Sequence, residues 1–115
     1  MSITLYHNPR CSKSRQALEL LRQRGIEPQI VEYLKTPPSA AEIRSLLAAL
    51  GKRPREILRT KEAAYKEAGL DDVKMTDAAV IAAIIRHPIL LERPIAVAGK
   101  KAVIGRPPED VLKIV

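Results

Sequence analysis

Residues 2–33 read SITLYHNPRCSKSRQALELLRQRGIEPQIVEY, and the fold turns on them. Ile3 and Leu5 alternate with polar neighbours, which predicts a short strand over 2–6. The loop His7-Asn8-Pro9-Arg10 follows, and Pro9 keeps helix from starting before it. From Ser12 to Arg24 the residues favour helix, with Ala17, Leu18 and Leu21 as its apolar face and Gly25 as its stop. Residues 29–33 predict a second strand. Strand, helix and strand in this order predict a parallel pair joined by a crossover helix.

Beyond this opening, Pro37-Pro38 breaks the chain and Ser39-Ala40-Ala41-Glu42 forms a capping box. Ile43, Leu46, Leu47 and Leu50 then recur at helical spacing before Gly51. Residues 54–68 read as helix in one or two pieces, ending at Gly69. Thr76-Asp77 opens another helix, with Val80, Ile81, Ile84 and Ile85 facing inward, and His87-Pro88 stops it. Pro94–Val97 and Ala102–Ile104 flank Gly99-Lys100, which predicts an antiparallel hairpin. Pro107-Pro108 opens a final short helix to about Lys113. The result is an α/β chain with a four-stranded mixed sheet, flanking helices and a helical insert. That is the element order of a thioredoxin-like fold.

The chain has 115 residues, so a single domain over 1–115 is expected. Its hydrophobic fraction of 46% supports a packed core and excludes global disorder. One cysteine excludes an internal disulfide, a C-x-x-C redox pair and a cysteine-based zinc cage, and no metal is expected. No apolar run approaches the ~18–20 residues of a membrane span. The N-terminal stretch lacks the basic-then-apolar pattern of a leader. A cytoplasmic location, with Cys11 a free thiol, is the expectation. The net charge of +7 fits an anionic partner. Nucleic acid is not expected, because the three aromatic residues are all tyrosines and lie scattered.

Cys11 sits where a loop delivers the chain into a helix. Unpaired N–H groups and the helix dipole there favour negative charge, and the thiolate is the nucleophilic form of cysteine. Arg10, Lys13 and Arg15 add positive charge nearby. Ser14, one turn on, is expected to donate a hydrogen bond to the sulfur. His7 either orients or deprotonates Cys11 or else caps the strand end. The competing reading of Cys11 is a small buried apolar side chain. The site reads C-x-x-S, so a redox cycle must borrow a second thiol from glutathione or another protein. A phosphatase loop, Cys-x5-Arg, fails because residue 17 is alanine. Arg59, Arg93 and Arg106 stand beside prolines or an apolar turn. Guanidinium forks suit tetrahedral oxyanions. The sequence leaves open whether the three gather or lie apart on the surface. Pro94 is a candidate for a cis peptide.

Several blocks, in order along nearly the whole chain, resemble the glutaredoxin-coupled ArsC family of arsenate reductases. They are Tyr6–Arg15, Tyr33–Pro38, His87–Ile95 and Gly105–Glu109. The resemblance implies a thioredoxin-like fold and reduction of arsenate to arsenite. It assigns the nucleophile to Cys11 and the oxyanion contacts to Arg59, Arg93 and Arg106. It gives His7 and Ser14 supporting roles at the thiol, and the family's cis-proline to Pro94. It further implies glutathione as co-substrate, glutaredoxin as partner, no bound cofactor or metal, and a monomer. Two features depart from the family pattern: Arg10 replaces a small residue before the cysteine, and longer members carry a tail beyond the position of Val115. Two other readings stand beside it: a glutathione-dependent thiol/disulfide reductase of the same fold, and a regulator resembling the Spx proteins. Ser14 in place of a second cysteine argues against the regulator.

Overall fold

In the computed structural model, which describes residues 2–115, strand β1 is Thr4–Tyr6 and leads through a loop into helix α1, Ser12–Gln23. Met1, the first residue of the stretch read for a leader, lies outside the described residues. Strand β2, Gln29–Val31, pairs parallel with β1, as the strand–helix–strand order requires. It ends earlier than predicted because the amides of Lys35 and Thr36 both turn back to the Glu32 carbonyl. Strands β3, Ile95–Ala98, and β4, Lys101–Ile104, form the hairpin around Gly99-Lys100. β3 runs antiparallel to β1, so the sheet order is β2-β1-β3-β4.

The chain folds as two compact units, one of residues up to Thr36 with Arg93–Val115, the other of Pro37–Glu92. In the first, Leu18 and Leu21 of α1 pack with Ile3, Leu5, Ala96 and Val111. Burying each such leucine contributes about 1.5–3 kcal/mol. Val111 comes from the C-terminal segment Pro108–Ile114, which is a 3-10 helix packed on α1. Gly105 lies in the same layer. A methyl group there would stand 2.8 Å from both the Pro94 ring and Val111, so any larger residue would force these side chains to shift.

The second unit holds α2, Ala40–Leu50, α3, Ala63–Glu67, and α4, Asp77–Arg86. The capping box at Ser39 and Glu42 forms, and Gly51 closes α2 in the left-handed conformation at φ 67°. Thr76 caps α4. Val80, Ile81 and Ile84 face inward as read, but Ala83 completes the buried stripe while Ile85 is half-buried at its edge. Residues 54–68 are not continuous helix. A 3-10 turn over Pro54–Ile57 gives way to extended backbone at Leu58, which bridges antiparallel to Leu91. The Arg59 amide bonds the Leu90 carbonyl at 2.7 Å, and the Glu92 amide bonds the Ile57 carbonyl at 2.9 Å. Pairing with 90–92 therefore replaces helix there. No helix among the described residues is long and apolar enough to cross a membrane.

Candidate active site

The register of the first unit sets the site. Tyr6, the last residue of β1, pairs with Ile95, the first of β3, and Ile95 pairs with Ile104, the last of β4. The chain thus leaves β1 toward Cys11, enters β3 from Arg93 and leaves β4 toward Arg106, all at one end of the sheet.

The loop to Cys11 is tied from several sides. The His7 amide donates to Val31, and the Cys11 amide donates to Asn8 at 3.0 Å. The Asn8 carboxamide oxygen accepts from the Arg10 amide at 3.0 Å. The Arg15 guanidinium donates to the Pro9 carbonyl at 2.9 Å. Cys11 itself is the N-cap of α1, with extended dihedrals, and its carbonyl accepts the first helical hydrogen bond from Arg15. It is a free thiol, part-exposed rather than buried, so the small-apolar reading of this residue does not describe it. Its side chain caps no helical amide, and the first turn of α1 holds no acidic residue. An anion placed there meets the positive end of the helix without competition from a carboxylate.

Ser14 takes a different partner from the one expected. Its hydroxyl is fully buried, lies 2.5 Å from His7 Nδ1 and accepts from the Asn8 amide at 3.1 Å. Neither Ser14 nor His7 hydrogen-bonds the sulfur among the described residues. The reason is depth: Ser14 points inward, where the ring at the end of β1 and a buried amide both need a partner. His7 is buried as well, and burial holds its pKa below the ordinary imidazole value. Arg22 and Arg15 add to that direction, and Glu32 opposes it. His7 and Ser14 thus work as a pair that fixes the loop under the thiol.

Arg93 and Arg106 come together. The Arg106 Nε donates to the Arg93 carbonyl at 2.8 Å, and the Gly105 amide donates to the Pro94 carbonyl at 2.8 Å. The Arg93–Pro94 peptide is cis, as the sequence had marked for Pro94, and so is Arg106–Pro107, which the sequence had not marked. Arg93 carries the most telling feature. Its Nε and Nη1 atoms are buried and have no hydrogen-bond partner in the protein. Leaving buried charged donors unmet costs about 1–3 kcal/mol each, so this guanidinium is set to receive an acceptor from outside the chain.

Arg59 belongs to the second unit. Its Nη1 lies 2.6 Å from Glu62 Oε1, and its Nε lies 3.7 Å from Glu92 Oε1. Neither carboxylate was read as part of the site. Glu62 was legible as an i,i+3 neighbour of Arg59, but Glu92 reaches it only through the Leu58–Leu91 bridge. Beside the thiol loop, His7, Asn8, Pro9, Arg10, Glu32, Leu34 and Lys35 line a cavity of about 240 Å³. No cluster of metal-ligating side chains occurs among the described residues.

Comparison with known proteins extends over the whole of this framework. The sequence signature of the ArsC family matches residues 6–114. YfgD of Escherichia coli K12, an uncharacterized protein, is 54% identical over 114 residues, covering 98% of this chain and 96% of its own. An arsenate reductase of Neisseria meningitidis is 48% identical over 110 residues, covering 95% of this chain and 94% of its own. The solved structure of an arsenate reductase from Vibrio cholerae superposes with a TM-score of 0.97 at 49% identity, covering 100% of this chain and 98% of that one.

Proposed function

The chain belongs to the ArsC family, and from that premise we propose that it reduces arsenate to arsenite, with Cys11 as nucleophile. The observation that carries the reading is Arg93, whose guanidinium has two buried nitrogens without a protein acceptor, with Arg106 held against its carbonyl. An oxyanion supplies acceptors of the right number and charge. Relatives of nearly the same length that bear the name arsenate reductase make arsenate the first oxyanion to test.

In the proposed cycle Arg59, Arg93 and Arg106 each contact arsenate and offset the charge that builds in the transition state. The Cys11 thiolate attacks arsenic, an As–S bond forms, and one oxygen leaves as water after protonation. His7 and Ser14 act by holding the loop. Reduction of arsenic from the +5 to the +3 state needs two electrons. Two external thiols provide them. Glutathione replaces a second oxygen, lost as water, to form an As–S bond. A glutaredoxin thiol then attacks the glutathione sulfur, leaving that bond's electron pair on arsenic and departing as the mixed disulfide. Water cleaves the Cys11–As bond to release arsenite and restore the thiol. Arg10 and Lys35 oppose Glu32 around the cavity beside the loop, and such mixed charge suits a zwitterionic peptide thiol like glutathione. No bound cofactor takes part. The protein acts in the cytoplasm as a monomer, within a single 1–115 domain.

The test is NADPH consumption coupled through glutathione reductase, glutathione and glutaredoxin, with and without arsenate. Arsenate-dependent consumption supports the reading, and its absence with an active thiol overturns it. A second reading, a glutathione-dependent thiol/disulfide reductase, draws on the two carboxylates that already engage Arg59. Under that reading the same assay responds to a glutathione mixed disulfide and not to arsenate.

A further inference from the structure

A guanidinium offers an oxyanion two bidentate edges, Nε with Nη2 and Nη1 with Nη2. At Arg59 each edge has a carboxylate beside it. Glu62 Oε1 stands 2.6 Å from Nη1, a close ion pair. Glu92 stands 3.7 Å from Nε, too far for a hydrogen bond but close for a charge. The main chain fixes this arrangement, because Arg59 bonds Leu90 and Glu92 bonds Ile57 across the Leu58–Leu91 bridge. The side chains of Arg59 and Glu92 are only 21% and 25% exposed, so water screens them less than an open surface pair.

We propose that Glu92 is a specificity-determining residue of the oxyanion site, its carboxylate guarding the Nε–Nη2 edge of Arg59. An anion that grips this edge meets Glu92 and is repelled in proportion to its own charge. A dianion is therefore disfavoured twice as strongly, in free energy, as a monoanion of the same shape, and the singly charged form of arsenate is selected. The inference rests on the reading of Arg59 as an oxyanion contact. Glu62 plays a different part: it holds the guanidinium from the opposite edge and stays in place when the anion binds.

The test compares sulfate with perchlorate, two tetrahedral anions that differ by one charge, by titration calorimetry at fixed low ionic strength. Glu92→Gln should tighten sulfate about tenfold and perchlorate about threefold, the squared relation that Coulomb's law requires. Both gains should vanish when Arg59→Met is added. Glu92→Asn, made in parallel, removes the same charge with a shorter side chain and serves if the glutamine variant folds poorly. A residue that merely supports the fold would change the melting temperature and leave the sulfate-to-perchlorate ratio where it was. An unchanged ratio, weaker sulfate binding, or no measurable sulfate binding in either neutral variant overturns the proposal. Failure of the arsenate reading shows separately, as wild-type protein that binds these anions in the expected ratio yet turns over no arsenate.

Discussion

Arg93 and Arg59 are assigned the same task, yet their surroundings are opposite. Two nitrogens of Arg93, Nε and Nη1, are buried and unmet, whereas Arg59 is answered by Glu62 and Glu92. One guanidinium destabilises the empty protein and gains by meeting an anion. The other already has two carboxylates beside it and must bind an anion against their charge. Residue type and family position alone do not separate them. Neighbouring carboxylates do, because they set how much of a cation's charge remains to be offered.

The sharpest way to break the contrast is to remove the atom both arginines serve. Cys11→Ser should cost at least about a thousandfold in arsenate turnover while circular dichroism stays unchanged. Retained turnover would make the arginines irrelevant to a covalent step. The next test sets the two cations against each other. Arg93→Met and Arg59→Met should both raise the KM for arsenate, by about 10- to 100-fold at Arg93 and less at Arg59. Their stabilities should move in opposite directions. Arg93→Met should gain about 1 kcal/mol by removing unmet donors, and Arg59→Met should lose a similar amount by taking the cation away from Glu62 and Glu92. Denaturant melts read both, and a shift of the same sign in the two variants would dissolve the comparison.

Two smaller effects sharpen it from the side of the first unit. Gly105→Ala should cost about 1–3 kcal/mol, because the new methyl meets the Pro94 ring and Val111 at 2.8 Å. A variant of unchanged stability would show that the Arg93–Arg106 corner yields readily to an added methyl. The last concerns His7. Its pKa is lowered in the folded protein, so the unfolded chain takes up the proton first as pH falls. The contribution is full above the ordinary imidazole value of about 6.5 and is lost as pH drops below it. Between pH 7 and 5.5 the wild type should therefore lose more stability than His7→Gln, and equal losses would refute the burial argument.

Much of the framework could be read along the chain. The 2–33 stretch carried its strand, helix and strand in local pattern, and the capping box at Ser39 and the hairpin at Gly99 follow from neighbouring residues. Cys11 at a helix start was equally local. What escaped were partnerships made across the fold. Leu58 has helix-forming neighbours, but its backbone bonds a segment distant in sequence. Ser14 lies one turn from Cys11, so spacing favoured the sulfur, yet the hydroxyl points inward to the His7 ring. Spacing on a helix tells which residues share a face, and the depth of that face decides what they meet.

The sheet's two outer strands are three and four residues long. Pro28 directly precedes one, and the other begins at Lys101 and ends against Gly105 and the Pro107-Pro108 pair. Each border therefore presents only a few main-chain groups, framed by residues that resist extension. A stray extended chain finds little to zip onto, which guards this small protein against building fibrils from its own edges.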